Sequence, residues 1–166
     1  YEIKECDWSS DVCSSDLKEK IALLIAEFFY AGKSKFAPGT VGSLASLVIW
    51  VPLSLFCGFY IKILSILLLF ILGLWASSIA IEHYKNLDPK QVVIDEVVGQ
   101  GIVFLVINPH WWEVITAFLL FRLFDITKPW PIKRMEKAFP KEWGIMLDDV
   151  MASFYALLIA FMIFRI

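Results

Sequence analysis

Charge is scarce in this sequence. Only 19% of its 166 residues are Asp, Glu, Lys or Arg, and 59% are apolar, whereas average soluble domains are about a quarter charged and nearer half apolar. The shortage argues against an ordinary water-soluble domain and for a lipid solvent. A basic excess is absent too: the formal net charge is −2, which excludes nucleic acid as the expected partner. The three cysteines, Cys6, Cys13 and Cys57, give neither a disulfide framework nor a zinc-ligand spacing. Cys57 lies in an apolar run, where thiols are inert packing. The two histidines, His83 and His110, are far apart and lack a neighbouring nitrogen or sulfur ligand, which excludes structural zinc. At this length one compact domain is expected.

Residues 1–17 stand apart from the rest. Trp8-Ser9-Ser10-Asp11 is followed by Cys13-Ser14-Ser15-Asp16, a polar near-repeat without helical or strand periodicity. Five acidic residues, no basic start and no apolar stretch exclude a signal peptide. The expectation is a translated adapter over 1–17 ahead of a truncated native start, with one membrane domain over 18–166.

What is abundant is long uncharged sequence. Residues 41–61 carry no charge, and neither do 63–81. Each run is about 20 residues, enough to cross a hydrocarbon core at about 1.5 Å per residue. Two shorter apolar segments, 97–107 and 114–121, flank Asn108-Pro109-His110-Trp111-Trp112, a turn with interfacial aromatics. They cross only if helix continues through Asp95 and Glu96 in the first and Arg122 and Asp125 in the second. A last run, 150–164, ends the chain. The stretch 21–29 is short and contains Glu27, so it lies on the interface, dips in partway or spans. Together these segments predict an all-α fold, a polytopic membrane bundle of about four to six helices.

Alternating the runs puts 30–40, 82–96 and 122–149 on one side. These segments hold ten of the fifteen Lys and Arg: Lys33, Lys35, Lys85, Lys90, Arg122, Lys128, Lys133, Arg134, Lys137 and Lys141. The other side has Lys62 and Arg165. The positive-inside rule makes the first side cytoplasmic.

Acids gather on that same side: Asp88, Asp95, Glu96, Asp125, Asp148 and Asp149. Ionisable groups at a membrane boundary are costly and read as functional. Measured from the shared turn, Glu96 lies roughly 17 Å along its helix and Asp125 roughly 20 Å, a similar depth. Carboxylates converging from separate helices suit a hard, oxygen-preferring cation such as Mg2+, with Asp95, Glu96, Asp125 and Asp149 as candidate ligands. Arg122, Asp125 and Lys128 follow at i, i+3 and i+6, near one helical stripe that Pro129 and Pro131 end. An acid for metal and two bases for phosphate is the composition phosphoryl chemistry requires; an ion-pair ladder at a membrane edge is the alternative. Asp148-Asp149 reads as the N-cap of the last helix, as part of the site, or as both. Ala37-Pro38-Gly39-Thr40-Val41-Gly42-Ser43 opens the first span, where N–H groups and the hydroxyls of Thr40 and Ser43 can meet an anion. It lacks the Lys-Ser/Thr ending of a nucleotide-binding loop.

Four stretches, APGTVGSL (37–44), IDEVVGQ (94–100), FRLFDITKPWPI (121–132) and GIMLDDVMA (144–152), resemble the phosphatidylglycerophosphatase A family in order and spacing. The resemblance covers about residue 21 to the C-terminus. It implies Mg2+-dependent hydrolysis of phosphatidylglycerophosphate, a phospholipid partner, at a bacterial inner membrane with the active face cytoplasmic. Carried over residue by residue, the implied catalytic set is Asp95, Glu96, Arg122, Asp125, Lys128, Asp148 and Asp149. The family's lead-in, GxGxSP, reads here Tyr30-Ala31-Gly32-Lys33-Ser34-Lys35, departing at Tyr30 and Lys35. Arg122 and Lys128, with Thr40 and Ser43, would meet phosphate, and the nucleophile is water or an aspartate. A small membrane transporter, with charges lining a path through both leaflets, and a non-enzymatic membrane subunit are the competing readings.

Overall fold

The computed structural model describes residues 11–130, 132, 139 and 141–165. Among these the chain is all helical: α1 (Asp11–Ala26), a 3-10 turn (Ala31–Lys33), α2 (Pro38–Phe56), α3 (Phe59–Tyr84), α4 (Ile94–Val103), α5 (Trp111–Thr127) and α6 (Lys141–Arg165). The six α-helices match the expected architecture. Of the segment set aside as 1–17, residues 1–10 lie outside the described residues. From Asp11 the chain is already helical and runs unbroken through Leu17, so position 17 marks no structural break. Pro131, Lys133, Arg134 and Lys137 also fall outside the described residues.

Three helices, α2, α3 and α6, are long and apolar enough to cross a membrane. Val48, Phe56, Leu64, Ile71 and Leu158 project from them uncovered, as side chains do toward lipid. The first two runs divide at Cys57-Gly58, so Lys62 lies inside α3 and not in the connection. The segment 97–107 does not form a full span. Its helix, α4, has ten residues, about 15 Å of rise, and tightens at its end through Leu105 N–H to Ile102 O and Val106 N–H to Val103 O.

What α4 lacks in length it has in burial. It packs against α2, α3, α5 and α6, and Ile94 and all of its residues from Val97 onward are buried. Close approach is what its glycines permit: a Cβ on Gly101 would stand 2.2 Å from the Trp50 ring. Trp50 is fully covered and donates its indole N–H to Val97 O at 2.8 Å.

The far end of α4 is closed by polar side chains. Lys62 Nζ donates to Phe104 O at 3.0 Å, placing a cation at the helix C-terminus. Buried Glu113 accepts from Asn108 N–H at 2.8 Å, and Arg165 donates to Val106 O and Asn108 Oδ1. The near end, where α2 and α4 begin and α3 and α5 finish, holds the site.

Candidate active site

Val93 N–H donates to Ala26 O at 2.9 Å, tying the entry of α4 to the end of α1. Asp95 and Glu96 therefore occupy the first turn of the most enclosed helix, where carboxylates complement the helix dipole. Arg122 and Asp125 come from the last turns of α5. Lys128 follows in the left-handed conformation (φ 38°), its N–H bonded to Phe124 O. That turn takes Lys128 off the stripe it was expected to share with Arg122 and Asp125. Asp148 and Asp149 do not cap α6, which begins at Lys141; they sit two turns inside it, both buried. The N-cap reading is thereby corrected.

These side chains converge on a cavity of about 590 Å³. Its wall includes Asp95, Glu96, Arg122, Asp125, Lys128, Asp148 and Asp149, all seven of the acid–base set. Helix α2 contributes Pro38 and Gly39 with Ala37 just before it, and the loop before α4 adds Asp88 and Lys90. Thr40 and Ser43 do not line it. Ser43 Oγ donates to Gly39 O at 2.8 Å and accepts from Arg122 Nη1 at 3.5 Å, so it stands behind the arginine.

Arg122 Nη1 ion-pairs with Asp125 and lies 3.8 Å from Glu96 Oε1, joining α5 to α4. Lys128 Nζ ion-pairs with Asp148, whose Oδ1 accepts the Asp149 N–H at 3.0 Å. Asp95, Glu96 and Asp149 each present a carboxylate oxygen within 4.8 Å of the others. Asp95 Oδ1, Glu96 Oε2, Asp149 Oδ2 and Arg122 Nε are buried without a hydrogen-bond partner among the described residues. Buried polar atoms are otherwise nearly always paired. Three converging carboxylates, each with a buried oxygen left unpartnered among the described residues, suit a hard divalent cation, so the residues fit Mg2+. Asp95 and Glu96 lie outside the three long helices. Burial, with the Asp149 charge next, pushes Glu96 up to about 8. Burial, followed by the Glu96 charge, holds Asp95 well above the usual carboxylate range.

Gly39 acquires a role that its motif did not reveal. A Cβ there would stand 2.1 Å from Glu96 Oε1 and 3.2 Å from Arg122 Nη1, so the start of α2 packs directly on the acid–base pair. The sequence signal was a glycine in a helix-entry turn, which equally suits a backbone anion site. Asp88 and Lys90 counted in sequence only as charges of the right side. Their place in the cavity wall comes from the buried Pro89 between them folding the loop inward.

The phosphatidylglycerophosphatase A family matches residues 24–164. A putative phosphatidylinositol-3-phosphatase of Bacteroides thetaiotaomicron is 39% identical, over 84% of this chain and 91% of its own. A phosphatidylglycerophosphatase A of Haemophilus influenzae is 38% identical, over 84% and 86%. The Escherichia coli protein of that name is 31% identical, over 86% and 84%. No solved structure matches the chain.

Proposed function

The chain belongs to the phosphatidylglycerophosphatase A family, and from that membership and the geometry of its acids we propose that it hydrolyses phosphatidylglycerophosphate to phosphatidylglycerol and phosphate with Mg2+. It is a phosphatase acting on a phosphate monoester. The observation that carries the magnesium reading is the trio Asp95, Glu96 and Asp149, whose buried oxygens lack partners within one cavity that also holds Arg122 and Lys128.

Asp95, Glu96 and Asp149 would hold the cation, with Asp125 beside them. When bound, it supplies Lewis-acid polarisation of a phosphoryl oxygen and neutralises charge. The protein's own groups do the rest. Arg122, fixed by Asp125 and backed by Ser43, offers its free Nε–H to the phosphoryl oxygens. Lys128, held by Asp148, adds a second positive charge as negative charge builds on the transferring group. With water as nucleophile, its proton passes to a carboxylate of the set, the ester P–O bond breaks, and the leaving glycerol oxygen takes up a proton. An aspartate as nucleophile would leave an aspartyl-phosphate for water to cleave. The three long apolar helices and the bacterial relatives support a multi-pass protein of a bacterial inner membrane, and the one-sided charge distribution supports a site facing the cytoplasm.

Phosphate release by the purified protein from phosphatidylglycerophosphate in detergent, with Mg2+ and with EDTA, tests the reading. Release that requires Mg2+ is expected. Equal release in EDTA defeats the metal assignment. Faster release from phosphatidylinositol 3-phosphate, the substrate class in the name of the 39%-identical relative, would move the substrate.

A further inference from the structure

Beside the catalytic cavity lies a second groove, of about 370 Å³, with Pro38 and Lys90 in both walls. The two differ sharply in charge. The cavity wall has six carboxylates and three basic groups; the groove wall has Lys33, Lys35 and Lys90 and no carboxylate. Beneath it, buried Glu27 accepts from the Tyr84 hydroxyl and pairs with Lys33 Nζ at 3.1 Å. Lys35 and Lys90 have no ion-pair partner among the described residues.

The groove is built, not a gap between loose loops. The 3-10 turn packs on the backbone before α4 so closely that a Cβ on Gly32 would stand 1.9 Å from Gln91 O. Three successive residues, Phe28, Phe29 and Tyr30, take positive φ to bring the chain round to it, a conformation that costs non-glycine residues free energy and persists only where surrounding packing enforces it.

Resting on the phosphatase reading, we infer that this groove binds the second phosphate of the substrate, the phosphodiester, while the monoester occupies the acidic cavity. Within the cavity, Arg122 and Lys128 are already engaged with Asp125 and Asp148, so among the described residues Lys90 is the cation left for a second anion there. Lys90 is also the entrance to the groove, where Lys35 adds a further unpaired charge. A lipid whose monoester and diester phosphates are joined by a few carbons can reach both at once. A lipid with a monoester alone leaves the groove empty, so the lysines favour the bis-phosphate class.

The test compares wild type, Lys35→Gln and Lys35→Arg in neutral-detergent micelles, Lys35 being the groove lysine that does not line the catalytic cavity. The substrates are phosphatidylglycerophosphate, which has both phosphates, and phosphatidate, which has the monoester alone. For Lys35→Gln, KM on phosphatidylglycerophosphate should rise about fivefold with kcat within about twofold, as a lost ground-state contact requires. Its kcat/KM on phosphatidate should change by less than about twofold, and Lys35→Arg should restore selectivity. Equal losses on both lipids, or an unchanged KM on phosphatidylglycerophosphate, overturn the inference alone. So does phosphatidylglycerol in the micelle stimulating wild type but not Lys35→Gln on phosphatidate, which assigns the lysine to bystander lipid. Wild type inactive on both lipids removes the phosphatase reading, and the inference with it.

Discussion

At the far end of the bundle Lys62, Glu113 and Arg165 each bond a backbone group that α4 or the following turn leaves unpaired. At the near end Asp95, Glu96 and Asp149 each keep a buried oxygen with no partner among the described residues. Both ends place ionisable groups at the edges of an apolar bundle, so cost alone does not distinguish them. Satisfaction does. A buried charge closing a helix end stabilises the fold, whereas converging carboxylates with unsatisfied oxygens oppose it and call for a ligand.

The sharpest break of that comparison is Asp149→Asn or Asp125→Asn. Either should lower turnover on the order of 10³-fold; for Asp149→Asn the thermal midpoint in detergent without Mg2+ holds or rises, because one charge leaves a crowded acidic cluster, whereas Asp125→Asn lowers it by unpairing Arg122. Near-wild-type turnover would remove that residue from the site. Gly39→Ala should follow, at about 10²-fold, since its methyl displaces Glu96 and Arg122 from their positions; an unchanged rate would mean the start of α2 yields freely.

The far end should answer oppositely. Lys62→Met and Glu113→Ala should each cost about 1–3 kcal/mol of stability by orphaning a buried backbone group, with kcat changed by less than about threefold. A large kcat loss with intact stability would contradict the division of labour. Mg2+ affinity, followed by calorimetry, should rise with pH through neutrality, because burial holds Glu96 and Asp95 protonated above the usual carboxylate range and both must lose a proton to bind a cation. A flat profile would place the cation elsewhere. Ser43→Ala should be mildest, a few-fold on kcat, if the hydroxyl only backs Arg122; a loss matching Asp125→Asn would return Ser43 to direct phosphate contact.

Much of the near end was legible from the chain. The acids of IDEVVGQ and GIMLDDVMA, and the Arg-Asp-Lys series of FRLFDITKPWPI, all line the cavity. Run length and charge made them visible, because carboxylates next to apolar spans are conspicuous whatever the packing. Lys128 was misplaced on a helical stripe because no spacing rule shows that the helix ends one residue before it in a left-handed turn. Asp148 and Asp149 passed for a cap because α6 begins in polar sequence, before its apolar run. Lys62 could not be paired with its acceptor, 42 residues away, nor Glu113 with its donor, 5 residues away, by any local pattern.

By itself the sequence determined that this is a helical membrane protein with its acids and bases drawn to one face, since hydropathy and charge are properties of each segment alone. Only the tertiary structure decided which acids converge, which glycine admits them, and which lysines line the groove beside them. Those outcomes depend on contacts between helices distant in sequence, where a single Cβ at Gly39 separates a formed cluster from a blocked one.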